Sequence, residues 1–245
     1  MNRIVIITGA SSGIGAALAR EFARRGYDVG LMARRADRLD ELAQELRQGG
    51  TRVETGIVDV ARDETVHAAV DALREKLGGL DVFVANAGIT AINRTGAGDI
   101  SKDKAVFAVN LIGAIASLDA AAKYFRAQKK GTLVGISSIA ALTPIPGSGS
   151  YSASKAALSS WLRAARAELK KHGIAVTAIH PGFIRTELVP EMEKFPFVID
   201  AEPAARAMVD AIEKKKASVI VPSWPWKPLL AIGNLLPESL APKLF

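Results

Sequence analysis

The sequence predicts an α/β fold, a doubly wound parallel sheet with helices on both faces, and three observations carry that prediction. Short apolar, β-branched runs recur along the chain, beginning with Ile4-Val5-Ile6-Ile7. Each run gives way to a stretch with apolar residues at helical spacing, such as Leu18, Ala19, Phe22 and Ala23 after the first. A glycine cluster, Gly9 to Gly15, marks the first of these junctions. Runs that are apolar throughout, rather than alternating, suit strands buried on both faces, as in a parallel sheet.

The first strand ends in Thr8-Gly9-Ala10-Ser11-Ser12-Gly13-Ile14-Gly15, and residues 16–25 read as the following helix. A strand-to-helix turn presents backbone N–H groups and the positive end of the helix dipole, a setting for a phosphate. Glycines there let the backbone approach a ligand without a β-carbon in the way. The spacing is Gly-x-x-x-Gly-x-Gly rather than Gly-x-Gly-x-x-Gly. By mechanism this is a dinucleotide site; the plainer reading is a tight connection with close helix packing.

A second buried run, residues 28–33, follows and ends in Ala33-Arg34-Arg35. An acidic residue at this point would hydrogen-bond the ribose 2′-hydroxyl of NAD, whereas arginine accommodates the 2′-phosphate of NADP. No carboxylate stands here to repel that phosphate and two guanidiniums can bind it, so NADP is expected. The competing reading is that Arg34 and Arg35 only begin a solvated helix.

Alternation continues with a helix over 36–48, a strand over 52–58, a helix over 63–77 and a strand over 80–85 closed by Asn86-Ala87-Gly88. Asp59 and Asn86-Ala87-Gly88 therefore fall at carboxyl ends of strands, the edge where such sheets bind ligands. A helix cap and a turn would explain the same residues. Residues 104–129 read as one long helix with Asn110 in its apolar face, where an amide requires a partner. A strand over 132–136 ends in Ser137-Ser138, and a loop punctuated by Pro144, Pro146, Gly147 and Gly149 leads to Tyr151 near the start of another helix. Ser138 and Tyr151 are thus expected at one sheet edge. Tyr151 and Lys155 stand four apart on one helical face, where the cation favours the phenolate and lowers the tyrosine pKa. Such a tyrosine can exchange a proton near neutral pH.

Composition bounds the alternatives. The 245 residues suit one compact α/β domain, 1–245, and a hydrophobic share of 49% against 23% charged excludes global disorder. With no cysteine, disulfides, thiolate metal sites and a cysteine nucleophile are excluded. His67, His172 and His180 are far apart in sequence, so no metal site is expected. The net charge of +7 comes from dispersed clusters without aromatic interleaving, which argues against nucleic acid. The N-terminal apolar run is too short for a signal peptide, giving the expectation of a chain that starts here, in the cytoplasm.

Taken together, Thr8 to Gly15, Asp59, Asn86-Ala87-Gly88, Asn110, Ser138, Tyr151, Lys155 and Pro181-Gly182 with Thr186 resemble the short-chain dehydrogenase/reductase family, in the branch with Thr-Gly-x-x-x-Gly-x-Gly and Tyr-x-x-x-Lys motifs. The resemblance runs to about Val221 and implies a Rossmann-like domain with a seven-stranded sheet whose last strand covers 218–221. It implies that Tyr151 is the general acid in carbonyl reduction and the base in alcohol oxidation, with Ser138 bonding the substrate oxygen. It further implies that Lys155 lowers the Tyr151 pKa and holds the nicotinamide ribose, and that Asn110 anchors a water in the proton relay. Gly9, Ser11, Ser12, Gly13, Ile14 and Gly15 are implied to line the pyrophosphate and adenosine side, with Asp59 and Val60 at the adenine. Asn86, Ala87 and Gly88 also belong to the cofactor side, and Pro181, Gly182, Ile184 and Thr186 resemble the nicotinamide-side loop. Homodimers or homotetramers are common for such proteins and are expected here. Many NADP-dependent members carry a basic residue just before the second motif glycine, where this chain has Ser12, so cofactor choice rests on Arg34 and Arg35.

Residues 183–200 are the expected substrate loop, made apolar by Val189, Met192, Phe195 and Phe197, as a lid over a lipophilic substrate would be. The extension 222–245 carries Trp224, Trp226 and an apolar run too short to span a bilayer. It is expected to pack on a partner subunit or over the cleft, with peripheral membrane contact as a further reading. The expected function is an NADP(H)-dependent oxidoreductase interconverting a carbonyl and a secondary alcohol. The alternatives are a 3-oxoacyl-carrier-protein reductase, docking an acidic carrier on the basic surface, or a non-catalytic dinucleotide-binding regulator.

Overall fold

The computed structural model describes residues 2–96, 98–189 and 194–233. Its elements alternate as the apolar runs require: β1 (Ile4–Thr8), α1 (Gly13–Arg24), β2 (Asp28–Ala33), α2 (Ala36–Gln48), β3 (Val53–Ile57), α3 (Asp63–Leu77) and β4 (Val82–Ala85). The second half holds α4 (Ile100–Phe107), α5 (Ala114–Gln128), β5 (Gly131–Ile136), α6 (Gly149–Leu169) and β6 (Ile174–Pro181). It closes with β7 (Ile184–Arg185), β8 (Ile199–Asp200), α7 (Ala201–Glu213), β9 (Ser218–Val221) and α8 (Trp226–Gly233).

Seven strands form one parallel sheet in the order β3-β2-β1-β4-β5-β6-β9. Helices cover both faces, giving three layers and two apolar cores, one on each side. Phe22, Leu31 and Met208 lie in one, Phe83, Leu118 and Phe125 in the other, all with no exposed surface. The chain goes outward from β1 to β2 and β3, then returns to the other side of β1 through β4. That reversal opens a crevice beyond the carboxyl ends of β1 and β4, the ligand-binding position of doubly wound sheets.

The expected long helix exists but is not uniform. It begins at Ile100, and between α4 and α5 residues Ala108–Gly113 form a π-helical turn that contains Asn110. Such bulges are frequent at functional sites, because the extra residue re-aims one side chain. The whole segment Ile100–Gln128 is long and apolar enough to cross a membrane, yet more than half of its most apolar stretch is buried within the fold. Here that apolarity serves packing against the sheet.

The tail is partly described. Trp226 is fully buried, with Leu230 beside it, against Ile139 and the aromatic ring of Phe183 at 5.3 Å between centroids. A β-carbon on Gly182 would come within 2.4 Å of the Trp226 indole nitrogen, so the tail lies directly on the loop after β6. Trp224, by contrast, is 78% exposed. Met192 and residues 234–245 lie outside the described residues.

Candidate active site

Two ends of strands are first tied together. The Thr8 hydroxyl accepts the backbone N–H groups of Asn86 and Ala87 at 3.0 and 3.1 Å. In return the Asn86 amide donates to the carbonyls of Thr8 and Gly9 at 3.0 and 3.1 Å. This exchange fixes the glycine turn against the end of β4 and satisfies backbone groups that no strand partner reaches. Gly9 has φ of +66°, and a β-carbon there would meet the Ala87 Cα at 2.7 Å. Only glycine supplies both that conformation and that clearance. The turn delivers the chain into α1 with Ser12 at its N-cap, the position where helix N–H groups face a phosphate.

Beside this turn, the exposed Arg35 folds back over it. Its guanidinium donates to the Ser12 hydroxyl at 2.7 Å and to Ser11 at 3.0 Å. The charge missing at position 12 is therefore supplied next to it from the end of β2. Arg34 leans the other way, 3.8 Å from the Asp59 carboxylate. Glu187 reaches in from the loop after β7, pairing with Arg38 at 2.9 Å and Arg35 at 3.5 Å. Those arginines hold its carboxyl below the usual range, Arg38 most strongly.

At the other end of the crevice lie the proton-handling groups. Ser138 follows β5 and caps a short 3₁₀ turn, its hydroxyl accepting the Ala140 N–H at 3.1 Å. Its carbonyl oxygen lies 3.3 Å from His180 Nδ1 at the end of β6, and burial holds that imidazole below its usual pKa. Tyr151 stands in the first turn of α6, with Lys155 one turn further. The Lys155 ammonium donates to the Ile136 carbonyl at 2.8 Å and sits 5.8 Å from the centroid of the Tyr151 ring. The Ser137 hydroxyl donates to the Lys155 carbonyl at 3.0 Å, binding α6 to the end of β5.

The expected lowering of the Tyr151 pKa by Lys155 is not seen in this geometry. Burial pushes the phenol up, with the Ser138 hydroxyl pulling it partly back, because the lysine is turned towards Ile136. Desolvation also acts on the lysine, pushed down from 10.5 to about 8. Between those two values the unfolded chain binds a proton that the folded chain does not, so stability rises with pH across this window. A shift of this size corresponds to on the order of 3 kcal/mol. Urea unfolding of the wild type and Lys155→Met between pH 7.5 and 9.5 is expected to show the wild type gaining on the variant as pH rises; parallel curves would contradict it.

Asn110 does not line the crevice. From the π-helical turn its side chain grips one residue twice, accepting the Ile89 N–H at 2.8 Å and donating to the Ile89 carbonyl at 2.9 Å. It also reaches the Ser154 hydroxyl at 3.3 Å. The partner demanded by a buried amide is thus the backbone just beyond Gly88. Gly15 likewise lies behind the lining, under the glycine turn.

All other expected site residues surround a cleft of about 600 Å³: Gly9, Ser11, Ser12, Gly13, Ile14, Arg34, Arg35, Asp59, Val60, Asn86, Ala87, Gly88, Ser138, Tyr151, Lys155, Pro181, Gly182, Ile184 and Thr186. Phe183, Leu188, Val189 and Phe195 of the expected substrate loop join them, whereas Phe197 packs against Trp226. Ile92, Ile145 and Ser148 also line the cleft and escaped the sequence reading. Their signal was position, one just past Gly88 and two in the loop before α6. Among the described residues no cluster of histidine and carboxylate side chains could hold a metal ion.

A parallel sheet with a phosphate-binding turn at its reversal point, and serine, tyrosine and lysine at the same edge, defines a nucleotide-binding oxidoreductase. The family model for short chain dehydrogenases matches residues 3–196, and the chain belongs to that family. An uncharacterized oxidoreductase of Mycobacterium tuberculosis is 37% identical over 239 residues, covering 96% of this chain and 94% of that protein. The 11-beta-hydroxysteroid dehydrogenase 1A of Arabidopsis thaliana is 36% identical over 91% of this chain and 69% of its own length. Among solved structures, a short-chain dehydrogenase from Sphingobium yanoikuyae in complex with NADPH superposes with a TM-score of 0.83 at 29% identity, covering 95% of this chain and 93% of that one.

Proposed function

We propose that the protein is an NADP(H)-dependent oxidoreductase interconverting a carbonyl and a secondary alcohol on a lipophilic substrate. The observation carrying this reading is the convergence of Ser138, Tyr151 and Lys155 on one end of a cleft whose other end holds the Gly9 turn and Arg35. The cleft suits a dinucleotide: no side chain blocks the backbone at Gly9, while the Ser11, Ser12 and Arg35 donors gather where the ribose phosphate belongs. When bound, NADPH supplies the hydride.

The chain's own groups handle the proton and the developing charge. Tyr151, held protonated by its burial, is the acid that donates from its phenol oxygen to the substrate oxygen in reduction. The Ser138 hydroxyl donates to that same oxygen as negative charge grows on it. Lys155 would hold the nicotinamide ribose, and it places a cation 5.8 Å from the centre of the Tyr151 ring. Asn110 holds the backbone at Ile89, shaping the wall behind Lys155, and is the expected anchor for a relay water. Pro181, Gly182, Ile184 and Thr186, which line the cleft, would hold the nicotinamide, and Asp59 and Val60 the adenine. Ile92, Ile145, Phe183 and Phe195 make the substrate end apolar. The name of the Arabidopsis relative, a hydroxysteroid dehydrogenase, favours the same lipophilic class.

The family's fold accepts NAD as well as NADP, so the choice must come from this chain's own residues. A panel of ketones and secondary alcohols assayed with NADPH and NADH by nicotinamide absorbance tests the reading. Faster turnover with NADH, or no turnover of apolar substrates, would overturn it. Arg35→Ala is expected to raise KM for NADPH at least about tenfold, the weight of a charge-assisted phosphate contact, with little change for NADH. Equal effects on both cofactors would remove Arg35 from the phosphate site.

A further inference from the structure

Glu187 occupies an unusual place for an acid. It follows Thr186, whose side chain packs across the crevice against Gly13; a β-carbon on that glycine would lie 3.2 Å from Thr186. From there its carboxylate reaches the far bank, bonding Arg38 at 2.9 Å and approaching Arg35 at 3.5 Å. Arg35 is at the same time the residue that donates to Ser11 and Ser12. The carboxylate therefore uses the same arginine that a ribose phosphate would use. It lies in the turn after β7, within the expected substrate loop, so the ion pairs also tie that loop across the cofactor crevice.

We propose that Glu187 is a specificity-determining residue, an internal anion that competes with the 2′-phosphate of NADP(H) for Arg35 and Arg38 and must release them when that phosphate binds. The proposal rests on the NADP(H) reading of the site. It has a directional consequence: the carboxylate weakens binding of 2′-phosphorylated nucleotides and leaves nucleotides without that phosphate unaffected. Release of the pairs also frees residues 187–189 from α2, so cofactor binding and the position of the substrate loop are linked through one side chain. Glu187 is 56% exposed and Arg38 43%, so the competition is between solvated charges and modest in size.

Calorimetric titration of the full chain with 2′,5′-ADP and with 5′-AMP, for the wild type, Glu187→Gln and the remote control Glu64→Gln, tests this. Glu187→Gln is expected to bind 2′,5′-ADP about threefold to fivefold more tightly than the wild type, the effect of removing exposed ion pairs, with 5′-AMP unchanged. Glu64→Gln removes the same charge from α3 and is expected to change neither affinity. Unchanged or weakened binding of 2′,5′-ADP by Glu187→Gln would overturn the proposal. So would an equal gain for both fragments, or the same gain in Glu64→Gln. Failure of the NADP(H) reading shows elsewhere, as a wild type that binds the two fragments equally; competition by Glu187 is then supported if Glu187→Gln acquires a preference for 2′,5′-ADP and overturned if it does not.

Discussion

Replacing Tyr151 by phenylalanine is expected to lower kcat for carbonyl reduction by about 10²–10⁴-fold, the contribution of a positioned general acid, while NADPH binding stays within about twofold. The argument is geometric first. The substitution removes one oxygen from a side chain in the first turn of α6 and leaves the ring to pack as before. The backbone carbonyl of Tyr151 still accepts from the Ser154 hydroxyl, and Lys155 still donates to Ile136, so the local frame survives. What is lost is the phenol proton, the one that the proposed mechanism delivers to the substrate oxygen beside Ser138. Because burial holds the phenol up, the acid form is the one present at neutral pH, and reduction should suffer at least as much as oxidation. Single-turnover measurements separate the two quantities. A variant retaining more than about a tenth of wild-type kcat would transfer the acid role to another group.

A companion replacement at Ser138 should be milder than at Tyr151, since a hydrogen bond to the growing charge is removed but the proton source remains. The distinction matters because both side chains line the same end of the cleft yet are held by different elements. Ser138 is steadied through its carbonyl near His180 and through the Ala140 N–H, whereas Tyr151 is steadied by its helix.

What could be read from the sequence was whatever depends on local pattern. Gly9, Gly13 and Gly15 announced a strand-to-helix turn because the runs around them are unambiguous, and Tyr151 and Lys155 announced a shared face because helical spacing is fixed. The partners across the fold were not legible. Nothing local says that Arg35 folds back to Ser12, or that Glu187, 149 residues beyond Arg38, closes on it. Asn110 was recognisable as an amide needing a partner, but the π-helical turn that aims it at Ile89 has no sequence signature of its own. The lysine was expected to lower the phenol pKa, on helical spacing and on the family resemblance. Spacing does not report desolvation, nor the Ile136 carbonyl that takes the ammonium instead. Likewise Trp226 was legible as apolar, but its seat on Gly182 depends on where β9 returns the chain.

The second large effect is expected at Gly15, which lines nothing yet supports the whole phosphate end. A β-carbon there would lie 2.2 Å from the Gly9 carbonyl oxygen and 2.6 Å from the Asn86 amide nitrogen. Those two atoms are already bonded to each other at 3.1 Å, so a methyl group would be driven into a hydrogen bond between two backbone-linked elements. Relief requires α1 to move away from the turn, since the Gly9 carbonyl is backbone and the Asn86 amide is held by its hydrogen bonds to Thr8 and Gly9. Gly15→Ala is therefore expected to cost about 2–4 kcal/mol, overpacking plus a disrupted buried hydrogen bond. It should also weaken NADPH at least about tenfold, because the N–H groups at the start of α1 would be displaced from the phosphate. Gly26→Ala supplies the contrast. Gly26 has φ of +77° with open space around it, so its substitution strains only the backbone and should cost about 1 kcal/mol. Urea unfolding and cofactor titration of the two variants distinguish a steric role from a conformational one. If Gly15→Ala binds NADPH like the wild type, the turn does not need the close approach of α1, and the phosphate is held by Ser11, Ser12 and Arg35 alone.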